Sequence, residues 1–467
     1  MITFNKVSFS YKGGTEKSLK GVSLNIQKGQ CVLLCGASGC GKTTITRLIN
    51  GLVPHFFEGE LSGEITVNGL DIRETDILQL SDIVGTVFQN PRTQFFNTDT
   101  DSEIVFGLEN RGLSSELLSE SLKKVSEELH IQNLCGRSIF ELSGGEKQKI
   151  AFASVYATAP EIFVLDEPSS NLDYNSIKEL KLFIKKIKNQ GKTIIVAEHR
   201  LWYLTDIADR VIFMENGEIA DDMTIRGFLS LSDSEIKRKG LRCRSLSDIK
   251  EGVAEINLDE KVFEVKNLTV KFGKKTVLND ISFTANGGEI IAITGENGVG
   301  KTTLARTICG LNKEAGIISL NGKALSIKKR RESSYMVMQD VGHQLFTDSV
   351  DSECRLGVKK VSQEDINYVL DLLSLSNLKD KHPLSLSGGQ KQRLAVAVSM
   401  LCDKDILIFD EPTSGLDLNS MKEVGTLIKR LAEDKKIILV ITHDMEFIQT
   451  ICAKVMVLSD GKIRKRT

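Results

Sequence analysis

The sequence predicts an α/β fold that occurs twice, in two consecutive domains built around mainly parallel β-sheets. The chain has 467 residues, which is enough for two or more domains at roughly 100 to 200 residues per domain. Short motifs of the first half return in the same order in the second half. Short, continuous apolar runs alternate with longer helix-like stretches, a pattern typical of parallel strands that are buried on both faces.

Composition excludes several classes of protein. The chain has 61 Lys and Arg against 62 Asp and Glu, a formal net charge of −1, with 41% hydrophobic residues. This balance argues against a disordered chain and lacks the basic excess of most nucleic-acid-binding proteins, so no nucleic acid is expected as a partner.

The apolar runs are far shorter than the ~20 residues needed to cross a bilayer. The N-terminus lacks the apolar segment of a secretory leader, so we expect a protein that stays in the cytoplasm.

Individual elements follow from the apolar periodicity. Two runs enter glycine-rich loops, and four similar runs follow them along the chain. The predicted strands are 31–35, 162–165 and 193–197 in the first half, and 290–294, 406–409 and 437–441 in the second. Helical periodicity predicts helices over 174–189 and 419–433.

The repeat defines the domain organisation. In both halves the aspartate of the DEP motif lies 23 positions after the serine of LSGG, and a histidine lies 33 positions further on. Upstream spacings differ, because a glutamine lies 47 positions after the glycine-loop lysine in the first half and 38 positions after it in the second. Insertions collect on surfaces, so we expect a shared core and different partners. We predict domains at 1–220 and 262–467, with a linker at 221–261.

The predicted linker is rich in charge and free of proline, which suggests short amphipathic helices. Its basic run is Lys237, Arg238, Lys239, Arg242 and Arg244. Such a run can bind a phosphate-rich partner, or it can form a solvated face. The acidic residues nearby favour the solvated face.

A glycine-rich loop follows the first predicted strand of each half. GASGCGKTT and GENGVGKTT both fit the phosphate-binding pattern G-x-x-x-x-G-K-[ST], in which backbone N–H groups and a helix N-terminus surround a phosphate. The lysine neutralises phosphate oxygens, and the next hydroxyl can bind Mg²⁺. The predicted nucleotide-binding residues are Gly36, Ser38, Gly39, Cys40, Gly41, Lys42, Thr43 and Thr44 in the first half, and Gly295, Asn297, Gly298, Val299, Gly300, Lys301, Thr302 and Thr303 in the second.

Acidic pairs end the strands that follow. Asp166 and Asp410 close apolar runs, which places their carboxylates at the carboxyl edge of a parallel sheet, where a metal ion would lie. Glu167 and Glu411 come next and can polarise an attacking water. Phosphoryl transfer needs mainly positioning and charge neutralisation, so these carboxylates suit it.

The LSGG segments offer few reactive side chains. Each precedes a helix-forming stretch and presents a hydroxyl, bare N–H groups and a helix N-terminus to an anion. An ordinary helix cap with a glycine turn has the same sequence, and the spacing does not say which nucleotide the segments face. The residues are Ser143, Gly144 and Gly145 in the first half, and Ser387, Gly388 and Gly389 in the second.

The ordered set of motifs resembles the nucleotide-binding domain of ABC ATPases, twice, over almost the whole chain. The resemblance implies an α/β P-loop NTPase core with an antiparallel β-subdomain and a helical subdomain, and ATP with Mg²⁺ as cofactors. It implies that Gln89 and Gln339 reach the nucleotide and the metal, with Thr43, Thr302, Asp166 and Asp410. It also implies that His199 and His443 contact the γ-phosphate and act with Glu167 and Glu411 in catalysis.

The family also implies how the two halves work together. In it, LSGG of one domain closes on the ATP held by the other, so two composite sites form head to tail. Both halves keep their acidic pair and histidine, and we expect both to hydrolyse ATP. We also expect the two domains to sandwich within one chain. An adenine-stacking aromatic matches Tyr11 and, less well, Phe272, although a single aromatic on a strand can equally belong to the core.

Three further stretches resemble the ATPases of energy-coupling factor importers. They are VPHFFEGELSGEITVNGLD, VFQNPRTQFFNTDTDSEIVFG and AEHRLWYL, with MQDVGHQLFTDSVDSE as the counterpart in the second half. This resemblance implies a peripheral motor at the cytoplasmic side of the cell membrane that drives uptake of a vitamin or metal ion. Its partners would be a transmembrane coupling subunit and a substrate-binding subunit. The apolar residues Phe95, Phe96, Phe106, Leu345 and Phe346 either contact such a partner or fill the helical subdomain.

Two other functions fit the motifs less well. A soluble tandem ABC ATPase acting on ribosomes or nucleic acid usually has a longer and more basic connector than this one. A tandem sugar-importer ATPase tends to have a degraded second glycine loop, whereas GENGVGKTT is intact.

Overall fold

The structure is a computed structural model that describes residues 1–14, 17–248, 261–358 and 361–465. The chain divides into two compact units, Met1–Ser245 and Leu246–Thr467.

The first unit contains ten strands and nine α-helices among the described residues. Its strands are β1 (Ile2–Tyr11), β2 (Leu19–Ile26), β3 (Cys31–Gly36), β4 (Gly59–Val67), β5 (Leu70–Asp71), β6 (Val84–Val87), β7 (Ile162–Asp166), β8 (Thr193–Ala197), β9 (Arg210–Glu215) and β10 (Glu218–Thr224). Its helices are α1 (Lys42–Ile49), α2 (Leu52–His55), α3 (Ile77–Ile83), α4 (Thr100–Glu109), α5 (Ser115–Glu128), α6 (Gly144–Ala157), α7 (Tyr174–Asn189), α8 (Ile225–Ser230) and α9 (Asp233–Arg238).

The second unit repeats this order with shorter connections. Its strands are β11 (Val262–Phe272), β12 (Lys275–Asn286), β13 (Ile290–Thr294), β14 (Ala315–Leu320), β15 (Lys323–Ala324), β16 (Ser334–Val337), β17 (Ile406–Asp410), β18 (Ile437–Ile441), β19 (Lys454–Ser459) and β20 (Lys462–Lys465). Its helices are α10 (Lys301–Ile308), α11 (Ile327–Ser333), α12 (Val350–Arg355), α13 (Gln363–Leu372), α14 (Gly388–Leu401), α15 (Leu418–Glu433) and α16 (Met445–Ile451).

A six-stranded, mainly parallel sheet forms the centre of each unit. The strand orders are β10-β9-β3-β8-β7-β6 and β16-β17-β18-β13-β19-β20. Every pairing is parallel except β9 with β10 and β19 with β20. The six predicted strands are confirmed within a residue at each end, and so are both predicted helices, because long apolar runs and helical periodicity fix such elements well.

A second, antiparallel sheet of four strands lies in each unit, in the orders β2-β1-β4-β5 and β12-β11-β14-β15. Helices α4, α5 and α6 in the first unit, and α12, α13 and α14 in the second, form the helical part. The predicted fold class, with its parallel core, antiparallel β-subdomain and helical subdomain, is confirmed.

Alternation along the parallel strands gives each central sheet two apolar faces. In β3, Val32 and Leu34 pack with the antiparallel sheet and α1, whereas Cys31 and Leu33 pack with the helical side. The same alternation separates the two clusters of the second unit. A strand buried on both faces cannot shift its register without exposing apolar side chains, so the ends of the strands are fixed.

Residues 221–245, which the sequence assigns to the linker, pack on the first unit. Thr224 belongs to β10 and caps α8, and Ser232 forms a capping box with Glu235 at the start of α9. Phe228 and Ile236 are buried in the same apolar cluster as the helical side of the central sheet. The described residues of the linker therefore continue the first compact unit up to Ser245.

Three side chains of the basic run contact the first unit itself, so for these three neither the solvated face nor a phosphate-rich partner applies. Lys239 forms an ion pair with Asp221 and lies over the ring of Phe213. Arg244 donates to the carbonyl oxygens of Leu229 and Leu231. Arg242 is buried, so three of the five basic side chains are engaged within the unit.

Among the described residues, no helix is both long enough and apolar enough to cross a membrane.

Candidate active sites

The parallel sheet brings the predicted site residues of each half to one edge. In the first unit β3, β8, β7 and β6 are consecutive neighbours and all parallel. Their carboxyl ends lead into the glycine loop, His199, the acidic pair and Gln89, respectively. The second unit has the same arrangement with β13, β18, β17 and β16. Carboxyl ends of parallel strands are where ligands bind in open α/β sheets.

The glycine loops depend on residues without a side chain at two positions. A Cβ on Gly36 would lie 2.2 Å from the carbonyl oxygen of Met214, and one on Gly295 would lie 2.1 Å from that of Leu458. The helix caps Gly41 and Gly300 have φ of 106° and 105°, in the left-handed region. These glycines let the loop turn directly into the helix that follows.

The loop lysines point back into their own loops. Lys42 is buried, and its Nζ donates to the carbonyl oxygens of Gly36 and Ala37 at 3.0 and 2.9 Å. The Nζ of Lys301 donates to Gly295 and Glu296 at 2.7 and 2.9 Å. An ammonium held in this way faces the space that the backbone N–H groups of the loop enclose, and it suits a phosphate.

A hydroxyl and a carboxylate meet beside each loop. Thr43 Oγ1 donates to Asp166 Oδ1 at 3.3 Å, and Thr302 Oγ1 donates to Asp410 Oδ2 at 2.8 Å. Burial raises the pKa of Asp166 to about 6, with a further increase from Glu167 and an opposing effect of the Thr43 hydrogen bond. Burial also raises the pKa of Asp410. Buried carboxylates of this kind gain from an added cation, because desolvation penalises their negative charge.

The two glutamates that follow have an uncommon backbone conformation. Glu167 has φ of 45° and Glu411 has φ of 51°. The backbone N–H of each is held by the adjacent strand, since Glu167 donates to Ala197 and Glu411 donates to Ile441, both at 2.8 Å. A left-handed residue other than glycine costs free energy.

Each glutamate accepts a hydrogen bond from a neighbouring segment of its site. Gln89 Nε2 donates to Glu167 Oε2 at 2.7 Å. Glu411 Oε2 accepts from Thr442 Oγ1 at 3.1 Å and from the His443 backbone N–H at 3.5 Å. These contacts link Glu167 to the residues after β6, and Glu411 to the loop after β18.

Each predicted histidine lies beside its glutamate. His199 Nε2 is 3.3 Å from Glu167 Oε1, and His443 Nε2 is 3.6 Å from Glu411 Oε1. His443 Nε2 also lies 3.2 Å from Asn297 Oδ1 in the glycine loop. The structure thus brings the loop, acidic pair and histidine of the second unit together, as it does in the first unit.

The LSGG segments form helix starts. Ser143 and Ser387 cap α6 and α14 in capping boxes with Glu146 and Gln390. Glu146 also forms an ion pair with Arg137 at 2.9 Å. A Cβ on Gly145 would meet Ser176, and one on Gly389 would meet Leu416 at 3.5 Å, so each segment lies beside the residues that follow its own DEP motif.

The two predicted adenine-stacking aromatics have different surroundings. The hydroxyl of Tyr11 lies 3.4 Å from Thr44 Oγ1 and accepts from Arg47 Nη1 at 3.0 Å, next to the glycine-loop helix. The guanidinium of Arg47 lies 4.1 Å from the ring centre of Phe57, which belongs to the longer insert of the first half. Phe272 is 54% exposed.

Sequence reasoning missed Glu198 and Arg200, which flank His199. Glu198 is 2% exposed and Arg200 6%, although charged side chains are rarely buried. A comparison of the two halves could have found them, because the second half has Thr442 and Asp444 at these positions.

Comparisons with known proteins decide the family. Two segments, residues 19–170 and 278–414, match the family model described as ABC transporter. A Treponema denticola protein named an ABC transporter ATP-binding protein is 70% identical over 100% of this chain and 96% of its own length. The chain belongs to the ABC transporter family.

Two more comparisons place this ABC protein among its relatives. A Bacillus subtilis protein named an HMP/thiamine import ATP-binding protein is 32% identical over 98% of this chain and 90% of its own length. A chain from a structure titled "Model of ribosome-bound archaeal Pelota and ABCE1" has a TM-score of 0.69 at 22% identity, covering 97% of this chain and 77% of its own. At that identity the likeness shows the shared fold alone. As a member with two ABC domains, the chain binds ATP and is an ATPase.

Proposed function

We propose that this ABC protein is the ATP-hydrolysing subunit of a membrane importer of the energy-coupling factor type. The observation that carries the proposal is a pair of exposed apolar side chains at the same positions of both halves. They are Phe96 and Phe140 in the first unit, exposed by 76% and 77%, and Phe346 and Leu384 in the second, exposed by 75% and 51%. We call each pair an apolar docking pair.

Buried carboxylates hold the first member of each docking pair in place. Glu103 Oε2 accepts the backbone N–H groups of Phe96 and Asn97 at 3.0 and 2.8 Å. Glu353 Oε2 accepts those of Phe346 and Thr347, both at 2.9 Å. Both carboxylates are 2% exposed. Because its backbone is held in this way, each exposed aromatic side chain is presented at a fixed position, which suits a binding surface.

The backbone also brings the two members of each pair into one region. Ile139 N donates to Thr98 O at 2.9 Å, next to Phe140 and two residues from Phe96. In the second unit Val350 N donates to Lys381 O at 3.1 Å. The neighbouring residues Phe95 and Leu345 pack inward on the core. Of the two sequence interpretations, core filling therefore applies to these two residues, and partner contact is supported for Phe96 and Phe346.

The first docking pair is connected to its active site. Phe96 follows Gln89 by seven residues, and Gln89 donates to the catalytic glutamate. A membrane helix that displaces this segment would move a group in contact with Glu167. The thiamine-import name of the Bacillus relative supports an importer. We propose that it takes up a vitamin or metal ion, through a transmembrane coupling subunit and a substrate-binding subunit. We place the ATPase at the cytoplasmic side of the membrane as a peripheral subunit.

Residues of both sites fit Mg²⁺ as well as ATP. Hydroxyl and carboxylate oxygens are the ligands that this ion prefers, and the Thr43–Asp166 and Thr302–Asp410 pairs supply them. We propose that these pairs hold the ion together with Gln89 and Gln339, and that the ion neutralises phosphate charge when bound. Lys42 and Lys301 would hold the phosphates, Glu167 and Glu411 would orient water, and His199 and His443 would contact the γ-phosphate.

The family resemblance further supports composite sites in the ATP-bound state. We propose that the site of Lys42 is completed by Ser387 and Gly389, and the site of Lys301 by Ser143 and Gly145. A chain with Glu411→Gln should retain turnover at the first site only. Adding Ser387→Arg should then abolish turnover, whereas adding Ser143→Arg should not. The opposite pattern would show that each LSGG segment serves its own domain.

Co-purification tests the importer proposal. The tagged chain is expressed in its own organism, the membranes are extracted in detergent, and ATP hydrolysis by the chain is measured with and without the membrane subunits that co-purify. Phe96→Asp and Phe346→Asp should lose the membrane subunits, and the control Leu78→Asp, at a residue that is 72% exposed elsewhere on the first unit, should keep them. Sedimentation with ribosomes at moderate salt, without membrane association, would contradict the importer and favour the ribosomal alternative.

A further inference from the structure

The loops that carry the two histidines are tied to the rest of their sites by different sets of residues. Four positions differ together between the halves. The first unit has Ser169, Glu198, Arg200 and Tyr203, and the second has Thr413, Thr442, Asp444 and Phe447. Each set lies at the same distance from the motifs of its own half, so the two sets are direct counterparts.

In the first unit, a buried carboxylate gathers four donors. Glu198 Oε1 accepts the backbone N–H groups of His199 and Arg200 at 2.8 and 3.1 Å. Glu198 Oε2 accepts the Ser169 N–H at 3.3 Å and the Tyr203 hydroxyl at 2.8 Å. Ser169 belongs to the SSNLD segment just after Glu167, so one carboxylate joins the histidine loop to that segment.

A buried guanidinium makes a second link between the same two segments. Arg200 Nη1 donates to the carbonyl oxygens of Ser169 and Leu172 at 2.9 and 3.3 Å. Glu198 thus holds the N–H side of Ser169, and Arg200 holds its carbonyl side. Two buried charges that each satisfy backbone groups fix a distance more strictly than one neutral hydrogen bond.

The second unit makes the same connection with hydroxyl groups. Thr413 Oγ1 donates to Asp444 Oδ2 at 3.0 Å, which joins the TSGLD segment to the histidine loop. Thr442 Oγ1 accepts the Asp444 N–H and donates to Glu411 Oε2, both at 3.1 Å. Phe447, the counterpart of Tyr203, is buried and has no hydroxyl group.

We propose that Glu198 and Arg200 are positioning residues of the first ATP site. They set the distance between His199 and the SSNLD segment that follows Glu167, and so replace the Thr413–Asp444 link of the second site. Neither side chain contacts the nucleotide in this proposal. It rests on the assignment of His199 and Glu167 to ATP hydrolysis.

This role predicts a selective kinetic effect. Displacing a catalytic group by about 1 Å can lower turnover by about 100-fold, while binding through the glycine loop is left intact. Arg200→Met and Arg200→Asp should therefore lower kcat with little change in KM. Glu198→Gln should keep the acceptor for His199 and Arg200 but lose the acceptor for Ser169, so its kcat should fall as well.

Exchanging all four residues for their counterparts in the second unit is the decisive rescue experiment. The variant Ser169→Thr, Glu198→Thr, Arg200→Asp, Tyr203→Phe rebuilds in the first unit the link that the second unit uses. It should be more active than Arg200→Asp alone, although it carries more substitutions. The reverse exchange at Thr413, Thr442, Asp444 and Phe447 provides a second test if the first variant folds poorly.

The experiment measures kcat and KM for ATP hydrolysis by the purified full-length chain, and thermal unfolding by circular dichroism. Each variant is made in the native chain and in Glu411→Gln, which isolates the first site. If Glu411→Gln alone abolishes turnover, the same fall in kcat is expected in the native chain, because a lesion in one of two obligatory sites limits both.

The controls separate two kinds of failure. Loss of kcat in Glu167→Gln and His199→Ala establishes the site, and unchanged kcat in both would overturn its assignment. If those controls lose activity but Arg200→Met and Glu198→Gln keep their kcat, the positioning role is wrong. The role is also wrong if the four-residue exchange folds as stably as the native chain and is no more active than Arg200→Asp.

Discussion

Phe228 offers a direct test of where the first domain ends. It lies in α8, within the stretch that the sequence assigns to the linker, yet its side chain is 0% exposed. Replacing a fully buried phenylalanine by alanine removes its apolar contacts and leaves a cavity, which costs about 3–5 kcal/mol of the free energy of unfolding. The next residue, Leu229, is 47% exposed, and Leu229→Ala should change that free energy by less than about 0.5 kcal/mol.

The chain contains a built-in probe for this measurement. Trp202 is its only tryptophan, and it lies in the first unit, stacked on Tyr174 at 5.6 Å. Tryptophan fluorescence during urea unfolding therefore reports on the first domain. With a slope of about 3 kcal/mol per M of urea, Phe228→Ala should lower the midpoint by about 1–1.7 M.

Equal midpoints for Phe228→Ala and Leu229→Ala would refute the packing argument. That result would mean that 221–245 contributes little to the first domain and behaves as a connector. A change in slope instead of midpoint would indicate altered compactness of one of the two states, and would also contradict the simple loss of contacts.

Three other predictions concern single side chains. Glu167→Gln and Glu411→Gln, made singly, should each lower the rate of phosphate release, and an unchanged rate in either one would contradict two active sites. Glu146→Ala should cost about 0.5–1.5 kcal/mol in Trp202-monitored unfolding, because it removes the acceptor for the Ser143 N–H in the capping box of α6. Glu146→Gln can keep this acceptor and should cost less, and equal losses would count against the capping box. Tyr156 donates to Glu128 and lowers the pKa of that carboxyl. The stability lost in Tyr156→Phe should therefore be largest above the ordinary pKa of glutamate, and it should disappear as pH falls through the lowered pKa. A loss that does not depend on pH would contradict this.

Local pattern was enough to predict the chemistry at the strand ends. The glycine loops, Asp166 and Asp410 occupy fixed offsets from apolar strands, and parallel strands bring their carboxyl ends to one edge whatever the rest of the chain does. The contact between Thr43 and Asp166 spans 123 positions of sequence, yet it follows from two local motifs and one sheet.

Contacts that depend on tertiary packing could not be predicted from the sequence. Charged residues beside His199 resemble ordinary surface residues. A comparison of the two halves singles out Glu198 and Arg200 as positions that differ, but their burial is visible only in the fold. The stretch 221–245 was difficult for a related reason, because its apolar residues are sparse and its charges are many. The capping box of Ser232 and Glu235 was a readable indication of a helix there.

The left-handed backbones of Glu167 and Glu411 have a consequence for the relation between durability and activity. Glycine adopts this conformation without the penalty of about 1–2 kcal/mol that a side chain incurs. Glu167→Gly should therefore leave the folded domain as resistant to heat as before, or more so, while removing the carboxylate. The duplicated halves differ at many positions, but both have glutamate instead of glycine at this left-handed position. At this position the protein therefore has lower stability in exchange for a catalytic carboxylate.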